Sequence, residues 1–194
     1  MGGADHEILA RGPPVLAASA RGRCLVRWRW GPRVNAPISA ELASFLESGV
    51  SVLVGTRDAR LVPESTRGVG ARVEADGTEL SVLLPRATAA RAIANLRDNG
   101  RIAICFSRAI DHRSIQVKGR VASISDGDAA VRAAVELYVD ALAVAWQPIG
   151  IPPSSARRLA RWPAHAVRLR IEEVYVQTPG PGAGAPLAGW ERAR

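Results

Sequence analysis

Residues Arg113 to Val121 read RSIQVKGRV and hold the chain's single lysine, Lys118, two positions after Gln116. Alternation along an extended chain sends Ile115, Val117 and Val121 one way and Ser114, Gln116 and Lys118 the other. The second set lines up a hydroxyl, an amide and an ammonium, spaced about 6 to 7 Å apart by strand geometry. An amide beside a cation suits a heterocycle with carbonyl and ring-nitrogen edges, or a phosphate. A plain exposed face of a barrel strand would show the same pattern, and these residues alone leave both readings open.

Other chemistries find little support. The chain has no GxSxG elbow, no HExxH, no GxxxxGK[ST] and no GxGxxG after a strand. GPGAG near the end lacks the lysine and the following helix of a phosphate loop and reads as a turn. His6, His112 and His165 have no metal-ligand spacing, and His112 in IDHRS reads as a solvated turn residue. Asp111 and Glu64 could act as acid or base, but neither has a visible partner in the sequence. Cys24 and Cys105 stand far apart, which argues against a disulfide framework or zinc site and for a reducing cytoplasm.

Charge narrows the classes further. The chain has 194 residues and a net charge of +8, and all but one of its 26 basic residues are arginine. Such a balance can attract phosphates, nucleic acid or an anionic membrane surface, although near-exclusive arginine also fits a codon bias. Half of the excess sits in residues 1–35, where six arginines face Asp5 and Glu7. No apolar run approaches the roughly 20 residues needed to span a bilayer, and early acids with recurring arginines argue against a signal peptide.

Three regions are expected: a basic extension over residues 1–35, a domain over 36–180 and a tail over 181–194. Within the domain, Ser39 is an N-cap for a helix through Leu42, Phe45 and Leu46 that stops at Gly49. SVLVGT is a strand, and LVPESTRGVGARVEA runs extended to the Asp76-Gly77 turn and returns as TELSVLLP. Pro63, Gly68 and Gly70 imply a bend, a bulge or a close approach to the backbone of that ribbon. Thr88 is expected to cap a second helix ending at Gly100. Strands follow at RIAICFSRA and RSIQVKGRVASIS, then a long helix from Asp126 to about Trp146, with Val131, Val135, Tyr138 and Leu142 inward. A short basic helix, SARRLARW, and a strand from His165 to Thr178 close the series. This order predicts an α+β fold, an antiparallel barrel decorated by helices and not an alternating βαβ sheet.

From Ser39 to Ile124 the chain resembles the pyridoxamine 5′-phosphate oxidase-like, FMN-binding split-barrel superfamily. The resemblance rests on the order of ISAELASFLESG, SVLVGT, VPESTRGVGARV, ADGTELSVLLP, ANLRDNGRIAICF and RSIQVKGRVASI. VYVQTPGPGAGAPL is similar to the ending of one bacterial subgroup. The resemblance implies a split β-barrel homodimer with FMN in a cleft at the subunit interface. It implies that Thr66, Arg67, Gly68, Val69 and Gly70 lie along the flavin, with the two glycines admitting the ring. Thr88 and the N-terminus of its helix, with Arg86 or Arg91, would surround the phosphate, and Ser114, Gln116 and Lys118 would face the ring, with Lys118 or Arg113 supplying a cation.

Departures from the family pattern refine these implications. Thr88 is followed by Ala89 and Ala90 where the oxidases carry adjacent basic residues. Gln116 lies three residues before Gly119 where the oxidases' glutamine lies five before, and Ser114 holds that place. PLAGWERAR has no counterpart of the oxidases' C-terminal substrate motif. The expectation is therefore a cytoplasmic FMN-dependent oxidoreductase acting on an unidentified small molecule. A binder of flavin or tetrapyrrole without turnover is the first alternative, and a nucleic-acid partner using residues 1–33 is the less favoured second.

Overall fold

In the computed structural model, residues 37–159, 161–188 and 190 are described. The basic extension and Cys24 lie outside the described residues, all of which fall in one compact unit. Helix α1 (Ala40–Glu47) starts where the Ser39 hydroxyl accepts the Leu42 N–H at 3.2 Å, and it buries Leu42, Phe45 and Leu46. Strands β1 (Ser51–Arg57), β2 (Pro63–Arg67), β3 (Ala71–Val73) and β4 (Glu79–Pro85) follow, then helix α2 (Arg86–Asn99). Next come β5 (Arg101–Ser107), β6 (Ser114–Asp126) and helix α3 (Ala129–Trp146). A 3₁₀ turn at Gln147–Ile149, helix α4 (Pro153–Arg157) and strand β7 (Ala164–Val176) complete the domain.

The seven strands form one antiparallel sheet in the order β2-β1-β5-β6-β7-β4-β3. Its two outermost strands, β2 and β3, are consecutive in the chain, so the sheet closes on itself through residues 68–70. Gly68 still donates to Val52 O (2.9 Å) on the β1 side, while Val69 donates to Leu83 O and Leu83 donates to Gly70 O (both 2.9 Å) on the β4 side. Closure removes the exposed edges that an open sheet would leave. Inside lie Val52, Val54, Leu80, Val82, Leu84, Ile104, Phe106, Val117, Leu169 and Ile171, none more than 1% exposed. Burying each such side chain is worth roughly 1.5–3 kcal/mol.

The barrel corner explains the glycines of the VPESTRGVGARV ribbon. A Cβ on Gly68 would sit 2.7 Å from Val52 Cγ1 and 3.3 Å from Val82 Cγ2, inside contact distance. Gly70 adopts φ +138°, a conformation that side chains disfavour, with Leu83 and Tyr138 close by. The close approach expected there is therefore made by the protein's own core. Helix α3 starts at Ala129, three residues later than the expected Asp126, because Asp128 is its cap and accepts the Val131 N–H at 2.9 Å. It is tied to the barrel by the Tyr138 hydroxyl, which donates to Val50 O at 2.9 Å.

The short helix is also smaller than SARRLARW implied, ending at Arg157. After β7 the chain turns back: Val176 donates to Ala185 O and Leu187 to Val174 O, both at 2.9 Å, and Trp190 is 8% exposed against the core. Among the described residues, no helix is long and apolar enough to cross a membrane, and no cluster of metal-ligating side chains occurs.

Candidate functional site

Where β2 passes the start of α2, the surface opens into a cleft of about 260 Å³. Strand β2 and the corner after it supply Ser65, Thr66, Arg67 and Val69; the β4–α2 junction supplies Pro85 and Thr88; the stretch after α4 supplies Leu159 and Arg161. Four residues implied by the family resemblance, Thr66, Arg67, Val69 and Thr88, thus meet in one cavity. The Thr66 hydroxyl, 7% exposed as a residue, donates to Thr88 O at 3.4 Å and holds β2 against the helix.

Thr88 does not cap α2. The cap position is Pro85, at φ −60° and ψ 128°, and no side chain bonds the first turn. Pro85 is still paired with Ala164 in the sheet, so the strand runs directly into the helix, and the Arg86 N–H is satisfied by Pro163 O at 2.9 Å. Proline fixes the required φ and has no N–H of its own to satisfy. Thr88 therefore stands inside the first turn, facing the cleft with a hydroxyl not consumed by capping. The first turn also points backbone N–H groups and the positive end of the helix dipole toward that region.

Arg67 brings a positive charge to the cavity. Its Cζ lies 5.7 Å from the Trp146 ring centroid, and its Nε and Nη2 are buried without a hydrogen-bond partner among the described residues. Neither Arg67 nor Arg161 has a carboxylate within ion-pair distance among those residues. A half-buried guanidinium without a counter-charge is costly. Close by, burial pushes the Tyr138 phenol above its ordinary pKa, and the Arg67 charge opposes that rise.

The remaining candidates lie elsewhere. Arg86 points to Asp126 (3.8 Å) and Arg91 to Glu64 (3.5 Å), and neither lines the cleft. Ser114 is buried, its hydroxyl 2.7 Å from the Ser107 hydroxyl and donating to His112 O at 2.9 Å. Arg113 stacks on Phe45 (4.6 Å) and meets Glu41 at 3.5 Å. Lys118 lies 4.7 Å from the Tyr175 ring centroid, and Gln116 is half-buried.

Register nevertheless relates β6 to the cleft. Ser65, Gly55, Ala103 and Lys118 form one cross-strand row, and Arg67, Leu53, Cys105 and Gln116 form the next. Directly opposed residues share a face, so Ser65 and Arg67 look out on the same side as Gln116 and Lys118. Three strand spacings of about 4.8 Å put the two pairs about 14 Å apart. The floor between them is low at Gly55 and Ala103, while Leu53 is 50% exposed.

Arg161, Leu159 and Trp146 were not singled out by sequence reasoning. The run ARRLAR advertises basic charge, but nothing local says which arginine turns toward β2.

A closed antiparallel barrel with a helix between its fourth and fifth strands, and a cleft at that helix's start, defines a split-barrel protein of mixed α+β class. Residues 38–178 match the family profile of pyridoxamine 5′-phosphate oxidase, and the chain belongs to that family. HupZ of Group A Streptococcus is similar in structure at 20% identity, with 76% of this chain and 99% of that one covered and a TM-score of 0.47. HutZ, the heme storage protein of Vibrio cholerae, is 17% identical over 73% of this chain and 95% of its own, with a TM-score of 0.43. An FMN-binding protein of Syntrophomonas wolfei is 12% identical over 68% and 80%, with a TM-score of 0.43. No curated protein matches the chain in sequence.

Proposed function

We propose that this protein is a cytoplasmic homodimer that binds FMN and acts as a flavin-dependent oxidoreductase on a small molecule. The observation that carries the proposal is the cleft in which Thr66, Arg67, Val69 and Thr88 converge. Its polar groups suit a phosphate ester. Arg67 offers charge and directed N–H groups, Thr88 and Ser65 offer hydroxyls, and the uncapped first turn of α2 adds backbone donors. The low floor at Gly55 and Ala103, bordered by Gln116 and Lys118, supports a planar ring lying beyond the cleft on the sheet's outer face. A second subunit covering that face would exclude water from the ring and cover the exposed Leu53.

In this reading FMN supplies the electron or hydride transfer, and the protein binds, orients and shields it. Lys118 lies on the face where its ammonium would favour the electron-rich form of the ring. Since no side chain among the described residues of the cleft is placed as a general base, positioning carries the protein's share of the chemistry. The domain of residues 36–180 holds every group invoked, and the 1–35 extension takes no part.

The test is the visible spectrum of the purified protein. A yellow protein that bleaches on anaerobic dithionite supports the proposal, whereas a colourless one that excess FMN cannot reconstitute overturns it. A Soret band on hemin titration, with no flavin uptake, would instead assign the fold to tetrapyrrole binding.

A further inference from the structure

The two arginines expected around the phosphate, Arg86 and Arg91, are engaged with Asp126 and Glu64 and stand outside the cleft. Ala89 and Ala90 occupy the positions after Thr88, so α2 brings no cation into the cavity. Yet two arginines line it, Arg67 from β2 and Arg161 from the segment before β7.

Arg161 is held there from both sides. Upstream, Ala156 of α4 is fully buried, and Leu159 donates to Ala156 O at 2.9 Å before lining the cleft itself. Downstream, the Trp162 ring lies over Gly127, where an added Cβ would come within 2.8 Å of its Cη2. Pro163 O accepts the Arg86 N–H and Ala164 O accepts the Gly127 N–H, both at 2.9 Å. These contacts anchor Ala156 and Leu159 before Arg161 and Trp162, Pro163 and Ala164 after it. Two positive residues line one cavity without a carboxylate within ion-pair distance of either among the described residues, an arrangement that suits a dianion.

We propose that Arg161 is the second cation of a phosphomonoester clamp with Arg67, replacing the basic pair that the first turn of α2 lacks. This rests on the flavin reading for the identity of the ester, but the clamp itself recognises only the dianionic phosphate. Arg161 acts as a specificity residue: it distinguishes FMN from the same ring and ribityl chain without phosphate.

The experiment titrates FMN and riboflavin into the full-length protein, Arg161→Gln, Arg161→Lys and the control Arg158→Gln, following flavin fluorescence. Arg161→Gln is expected to weaken FMN roughly 10- to 100-fold, the worth of one charged hydrogen-bonding group, and to leave riboflavin unchanged. Arg161→Lys should lose less, and Arg158→Gln nothing. Unchanged FMN affinity in Arg161→Gln, or an equal loss for FMN and riboflavin, overturns the proposal. If the parent protein binds neither flavin, the flavin reading falls, and phenyl phosphate followed by ³¹P NMR decides the clamp. Binding of that ester that Arg161→Gln and Arg161→Lys weaken in the same order sustains it. Absence of ester binding, or binding indifferent to position 161, refutes it.

Discussion

Gly68→Ala tests the barrel corner and separates two reasons for a glycine there. The new methyl would lie 2.7 Å from Val52 Cγ1, 3.2 Å from Val52 Cβ and 3.3 Å from Val82 Cγ2. Ordinary carbon contacts are about 3.5–4.0 Å, so the nearest must open by about 1 Å. Val52 and Val82 are fully buried and belong to opposite walls, β1 and β4, which leaves neither free to retreat. Overpacking of this kind costs about 1–3 kcal/mol. With a urea dependence of about 2 kcal/mol per molar, the unfolding midpoint should fall by about 0.5–1.5 M. Gly55→Ala is the control, because its Cβ would meet only Ala103 O at 3.8 Å; its stability should stay within about 0.5 kcal/mol. Adding Val52→Ala to Gly68→Ala removes the clashing methyls, so the double variant should show a favourable coupling of about 0.5–3 kcal/mol. If ligand-free Gly68→Ala unfolds at the parent's midpoint and only loses flavin affinity, the packing argument is wrong. The glycine would then serve the ring.

Arg67→Met should raise the stability of the ligand-free protein by on the order of 1 kcal/mol, since it removes a half-buried unpaired charge, while FMN binding collapses; paired urea melts and FMN titrations check both. FMN affinity should fall as pH drops below about 6, where a phosphate ester takes up its second proton, whereas riboflavin affinity should not follow that profile. Asp111 accepts the Arg108 Nε–H (2.9 Å) and the Arg113 N–H (3.1 Å), which hold its carboxyl at about 2, below its ordinary 3.8. A depressed folded-state value stabilises above pH 3.8 and is lost as pH falls toward 2. Thermal melts of Asp111→Asn and the parent should therefore converge across that window and differ above it. Tyr138→Phe strips the donor from Val50 O (2.9 Å) and should cost about 1–3 kcal/mol by leaving a buried carbonyl unsatisfied, read from the urea midpoint.

Much of this architecture is written locally. The Ser39 cap, the Gly100 stop with φ 65°, the alternation of Val52 and Val54, and the stripe of Val135, Tyr138 and Leu142 are all legible because neighbours two to four residues apart decide them. The inward set of RSIQVKGRV also follows from alternation: Ile115 and Val117 are buried, and a bulge at Lys118/Gly119 leaves Val121 only partly so. Local signals misassign Thr88, a good cap by type, because a sheet-paired proline three residues earlier carries the strand straight into the helix. They equally cannot tell that Arg86 and Arg91 are spent on carboxylates from β6 and β2.

Periodicity, caps and motif order are properties of short segments, and they already specify the elements, the α+β barrel class and the family. The site, by contrast, is a product of long-range packing. Closing the sheet at Gly68 brings Ser65, Thr66, Arg67 and Val69 together with Pro85, Thr88, Leu159 and Arg161 around one cavity. These stretches are far apart in the chain, and no local rule selects Arg161 over Arg157 or Arg158. That choice depends on the anchoring of α4 and Trp162 against the barrel, a long-range packing result with no imprint in neighbouring residues.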